Sequence, residues 1–128
     1  MTGTPASLRL DSLRSPWTRV AAAGGGLAAL AGALWIADPM WPVWVALVAP
    51  DLAGLAGIAR GLAPKQMHPR GVPWYNAAHR LPGPVVTIAA GLVLGAPLVT
   101  AIGLAWLAHL LIDRAAGYTL RGPDGLRR

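Results

Sequence analysis

Apolar residues run through this chain in long blocks, separated by short clusters of Pro, Gly and basic residues. Val20 to Ala37 holds no charged side chain over 18 residues, about the minimum that crosses a bilayer as a helix. The polar stretch before it, residues 1–19, is rich in Ser, Thr, Pro and Arg and predicts a leader at the membrane interface. A cleaved signal peptide would have a shorter apolar region ending in a small-x-small site. Leu34-Trp35-Ile36 does not fit one, so retention is expected.

The second block, Trp41 to Ala59, carries Pro50-Asp51 inside it, and the proline removes a backbone donor and favours a kink. Arg60 to Pro73 reads as an inner loop. Val85 to Gly95 is only 11 residues, too few to cross about 30 Å at about 1.5 Å per residue. Extending it back to Trp74 gives 22 residues and puts Trp74-Tyr75-Asn76-Ala77-Ala78-His79-Arg80 in the first turns, with Pro82 and Pro84 bending or breaking the helix. A re-entrant segment is the alternative for this region. Pro97 can open a last helix that runs to about Tyr118 and ends at Arg121-Gly122-Pro123, leaving 121–128 as a basic tail. The pattern predicts an all-α protein, a bundle of four transmembrane helices over about 20–37, 41–59, 74–95 and 97–118.

Composition supports lipid as the main solvent: 55% of the 128 residues are hydrophobic and only 12% are charged, against roughly 25% in a soluble domain. The net charge of +6 would suggest nucleic acid in a soluble protein, but its placement argues against that partner. Basic residues cluster at Arg9, Arg14 and Arg19, at Arg60, Lys65, Arg70 and Arg80, and at Arg114, Arg121, Arg127 and Arg128. The turns near Asp38-Pro39 and Gly95-Ala96-Pro97 have none. Alternate connections facing the cytoplasm would produce this split, with both termini cytoplasmic in a multi-pass cell-membrane protein that touches anionic headgroups. Trp35, Trp41 and Trp44 fall where an outer aromatic belt would sit, and Trp74 and Tyr118 read as interfacial anchors. Small-residue pairs at Ala28/Gly32, Gly57/Gly61 and Gly91/Gly95 are candidate packing notches, within the chain or between copies of it. There is no Cys, which excludes disulfides and thiolate metal sites.

Ionisable groups inside spans cost about 2.5–3.5 kcal/mol each and are functional candidates. There are four: Asp51, His79, His109 and Asp113. Counted from the inner helix ends they lie about 8–14 Å deep, so one layer of the bundle can hold them all. His109 and Asp113 are four apart on one helix face, and Tyr75 and Asn76 share the face of His79. Neutral imidazole and ionised carboxylate suit zinc, manganese or iron, with Tyr75 and Asn76 supporting the ligands or meeting substrate, and Arg80 and Arg114 either holding a phosphate or snorkelling to lipid headgroups. Taken singly, each His is better explained by packing or a hydrogen bond, and Asp51 by capping the break at Pro50 or pairing with Arg80. His68 in the inner loop is expected to be solvated.

Ala49-Pro50-Asp51-Leu52, Tyr75-Asn76-Ala77-Ala78-His79 and the run from Trp106 to Tyr118 resemble a family of short bacterial membrane proteins, domain of unknown function 4260 (DUF4260). The resemblance implies a four-helix protein of the bacterial inner membrane. A more distant similarity is to bacterial membrane-bound, metal-dependent hydrolases, whose pattern runs Pro-Asp-x-Asp, His-Arg-Gly-x-Thr-His, His-x-x-x-Asp. Pro50-Asp51, His79-Arg80 and His109 with Asp113 follow in that order, while Ala53 and Pro84 replace two ligands of the pattern. The resulting expectation is metal-dependent hydrolysis of a lipid-like or phosphoester substrate, with Asp51 or Asp113 as the working carboxylate. Its rival is a non-enzymatic membrane subunit whose polar residues fix helix register.

Overall fold

Ser15 and Pro16 start the first helix: the serine hydroxyl accepts from the amide of Thr18 at 3.2 Å, and proline suits the first helical position. The structure, a computed structural model, describes residues 15–127. Helix α1 spans Pro16–Ile36, so residues 16–19 of the expected leader belong to it, and residues 1–14 lie outside the described part. Then come α2 (Trp41–Leu52), α3 (Val72–Ala78), α4 (Pro82–Val93) and α5 (Pro97–Ala116), with short 3-10 turns at Ala53–Gly57 and Pro69–Gly71. The protein is all-helical, without a strand among the described residues apart from one bridge between Arg121 and Arg127. Two helices, α1 and α5, are long and apolar enough to cross a membrane.

The expected helices are shortened for different reasons. The second block leaves α-geometry at Leu52 and tightens into the 3-10 turn, where Gly57 closes on Met67 and Gly71. The third is not continuous: α3 ends at Ala78, residues 79–81 turn, and Pro82 opens α4 instead of bending it from within. The last helix stops at Ala116 because Gly117 takes the left-handed conformation (φ 87°), returning the Tyr118 amide to the Asp113 carbonyl at 2.8 Å.

Helix α5 is the axis of the fold, packed against α1, α2 and α4. Contacts of Gly26 with Ala108 and Ile112, and of Gly32 with Leu104, show α1 running antiparallel to it. The Arg19 guanidinium, one turn into α1, donates to the Ala115 carbonyl at 2.7 Å, placing a cation at the negative end of α5. Ala33, Ala37, Val43, Ala46, Ala101 and Ala105 form a buried apolar core. Gly91 touches Thr100 and Gly103 touches Ile88, so α4 reaches α5 through side-chain-free surface. Of the expected notches, Gly91 and Gly57 meet a neighbour closely, whereas Gly61 (φ 76°) and Gly95 (φ 60°) turn the chain in open space.

The C-terminal residues are more ordered than a basic tail. Gly122 and Leu126 close a turn at 2.8 Å, and the Met67 amide donates to the Gly125 carbonyl at 3.0 Å. Asn76 clamps this turn to α3, donating to the Arg121 carbonyl and accepting the Arg121 amide, both at 2.8 Å.

Candidate metal centre

Each of the four groups singled out in the sequence comes from a different structural circumstance. Asp51 lies one residue before the end of α2, His79 caps the C-terminus of α3, and His109 and Asp113 lie a turn apart on the inward face of α5. The turn at 79–81 frees His79 from a helical rotamer row and lets its ring swing toward α5. Because Leu47 sits one turn above Asp51 on α2, its carbonyl meets His109 while Asp51 meets the same ring from below.

The distances define one cluster. His109 Nε2 lies 3.2 Å from His79 Nε2, 3.4 Å from Asp51 Oδ1 and 3.3 Å from Asp113 Oδ2. His79 Nε2 lies 3.5 Å from each of the two carboxylate oxygens. All four atoms fall within 4.8 Å of one another. The imidazole side chains are only 6% and 9% exposed, Asp113 is 22% exposed, and Asp51 at 65% forms the open corner.

Hydrogen bonding fixes what those atoms can be. His79 Nδ1 is 2.8 Å from the Tyr75 carbonyl and His109 Nδ1 is 2.7 Å from the Leu47 carbonyl. Carbonyl oxygens only accept, so both Nδ1 atoms carry hydrogen and donate. In a neutral ring the Nε2 atom is then an unprotonated acceptor. Two such nitrogens and two carboxylate oxygens face one another: four acceptors and no donor. A proton on one ring relieves part of this conflict, whereas a divalent cation at the centre satisfies all four atoms at once.

Five of the six edges agree. A tetrahedral site with bonds of about 2.0–2.1 Å has ligand–ligand edges of about 3.3–3.4 Å. The five edges that include an imidazole measure 3.2 to 3.5 Å, and the sixth, between the two carboxylate oxygens, is within 4.8 Å. Both histidines also show the arrangement common to imidazole ligands, in which the other ring nitrogen donates to a backbone carbonyl and fixes the tautomer.

The remaining expected residues separate. Tyr75 stacks on His79 with ring centroids 3.9 Å apart, and the Arg121 guanidinium lies 5.1 Å from the Tyr75 centroid. The side chain of Asn76 is engaged with the Arg121 backbone. Arg80 and Arg114 are exposed, and among the described residues neither pairs with the two carboxylates. His68 stands apart from the cluster and accepts the Arg70 amide at 3.2 Å. Two participants had no signal in the sequence, because the carbonyls of Leu47 and Tyr75 act through backbone that every residue has. Trp106, read only as a landmark of the last helix, holds the α3 terminus by donating from Nε1 to the Ala78 carbonyl at 2.7 Å.

Fold and site together define an all-helical protein with a cluster of two buried histidines and two aspartates, one of them exposed. The chain belongs to the family Domain of unknown function (DUF4260), whose pattern matches residues 17–128. Neither a curated protein nor a solved structure matches it.

Proposed function

We propose that this protein is a multi-pass membrane protein that binds one divalent cation, zinc or manganese, through Asp51, His79, His109 and Asp113, and uses it for hydrolysis. The observation that carries this reading is the facing pair of imidazole nitrogens, 3.2 Å apart, each committed by its other nitrogen to a carbonyl. Three well-covered ligands and one open corner suit a catalytic site better than a structural one, which closes all four positions. A bound ion would supply Lewis acidity, lowering the pKa of water and polarising a phosphoryl or acyl oxygen. His79, His109 and Asp113 would hold it. Asp51, at the exposed corner, would be the carboxylate placed to accept a proton from water.

The membrane part of the proposal completes four crossings from two. The α2 helix with its 3-10 continuation reaches about 28 Å, and α3 with α4 reaches about the same. Trp35, Val48, Leu55, Val86, Leu92 and Val93 are exposed on the outside of the bundle, where acyl chains would cover them. Single cysteines placed at Met40 and Ala63 of the cysteine-free chain should react from opposite sides of the membrane, and reaction from one side would remove this topology.

Elemental analysis of the purified protein tests the site. About one zinc or manganese per chain is expected, lost in both His109→Ala and Asp113→Ala. Well-folded native protein that takes up neither metal would leave the cluster as a helix-packing device in a non-enzymatic subunit.

A further inference from the structure

A groove of about 440 Å³ opens on the side of the bundle between α2, α3 and α5, lined by Trp41, Val45, Ala49, Pro50, Ala78 and Trp106 among others. Its wall is almost wholly apolar: the indole N–H of Trp106 is used by the Ala78 carbonyl, which leaves the indole of Trp41, at one end, as the side-chain donor of the lining. Its two ends differ in chemistry. Trp41, the first residue of α2, marks the far end, while Pro50 and Ala78 are the chain neighbours of Asp51 and His79. That end of the groove therefore lies one residue along the chain from two members of the cluster, of which Asp51 is the exposed one. From Trp41 to Pro50 the helix advances about 13 Å.

These features select an occupant. The volume lies in the range of small-molecule sites. A peptide or a sugar would bring N–H, C=O or hydroxyl groups that this wall leaves unsatisfied, at a cost of about 1–3 kcal/mol each. A hydrocarbon chain brings none. Only the end at Pro50 and Ala78 adjoins ionisable residues, so the occupant is apolar along its length and polar at that tip. We infer that the groove holds the single hydrocarbon tail of an amphiphilic membrane substrate, whose polar, scissile group is presented at the Asp51 corner. The assignment rests on the proposed hydrolytic site and names its substrate class, but occupancy by the tail is measurable with or without the metal.

The test uses the full chain in phosphatidylcholine nanodiscs, with dodecyl phosphate carrying a mid-chain diazirine as the probe and mass spectrometry to map the adducts. Adducts should concentrate on Val45, Ala49 and Ile102, at least tenfold above Val93, which is 85% exposed on α4. Unlabelled dodecyl phosphate should compete and butyl phosphate should not. Val45→Trp, at an exposed position on the groove wall, should cut the labelling at least tenfold while metal content stays at the native level. Ala49→Leu gives a smaller obstruction on the same wall and should show part of the loss if the larger variant does not fold. Adducts spread evenly over α2, α4 and α5, or equal competition by both phosphates, would overturn the inference. Groove labelling in a protein that binds no metal keeps the tail site and removes the hydrolytic reading; bound metal with even labelling does the reverse.

Discussion

The two halves of α5 meet their neighbours by different physics. In the N-terminal half, Ala101 and Ala105 close on Ala33, Ala37, Val43 and Ala46, while Thr100 and Gly103 receive Gly91 and Ile88. None of these groups is ionisable, and the helices are held by close contact between small side chains. In the C-terminal half, His109 and Asp113 face His79 and Asp51, and close approach there brings acceptor against acceptor. The first seam is complete with the atoms of the chain alone. The second sets acceptors against acceptors, a conflict that a proton relieves in part and a bound cation would relieve further.

The largest expected effect separates the halves directly. A ligand present at a thousand times its dissociation constant stabilises the state that binds it by about 4 kcal/mol. Excess chelator should therefore lower the unfolding free energy of metal-loaded native protein by an amount of this order, read as a lower unfolding midpoint, and leave His109→Ala unmoved. Equal midpoints with and without chelator would make the two seams alike and dissolve the contrast.

The second effect belongs to the first seam only. A Cβ on Gly91 would collide with the Thr100 hydroxyl and come within 2.5 Å of the Thr100 amide nitrogen, which is helix backbone and cannot step aside. Gly91→Val is expected to cost about 3 kcal/mol, at the upper end of overpacking penalties. Denaturant titration of the variant should give the same loss in chelator as in metal. A loss that disappears when the metal is removed would mean that the seams are coupled through α5.

The contrast was partly legible in the sequence, and for a physical reason. Ionisable residues in apolar runs are costly enough to be few, so Asp51, His79, His109 and Asp113 stood out and their shared depth could be counted. The spacing of His109 and Asp113 carried its own geometry, since four residues on a helix share a face. The chain terminus of α3 did not: Pro82 and Pro84 announced an interruption, but not that the turn would fall at 79–81 and leave His79 as a helix cap. Helix α2 was read seven residues too long: Gly54 and Gly57 weaken a helix locally without specifying what replaces it, and the contact of Gly57 with Met67 and Gly71 sets the backbone. The C-terminal turn was invisible for the same reason. Its anchors are the backbone of Met67 and the side chain of Asn76, 45 residues from the Arg121 backbone it holds.

Trp106 sits where the two halves of α5 join and gives the smallest and most discriminating effect. Its ring edge fills the space beside Gly83, where a Cβ would lie 2.5 Å from the indole, and its N–H holds the Ala78 carbonyl beside His79. Trp106→Phe keeps an aromatic ring at this position but leaves that carbonyl without its donor. The expected loss is about 1–2 kcal/mol, the cost of an unmade hydrogen bond in a partly buried place. If the bond only packs α3 against α5, the loss appears in denaturant titration and zinc affinity is unchanged. If it also positions His79, whose amide and ring both use the Tyr75 carbonyl of the same turn, zinc affinity falls by about tenfold, as it does when groups supporting a ligand are removed. The short path from Ala78 to His79 favours the second outcome, and a zinc titration of the variant against the native chain decides it.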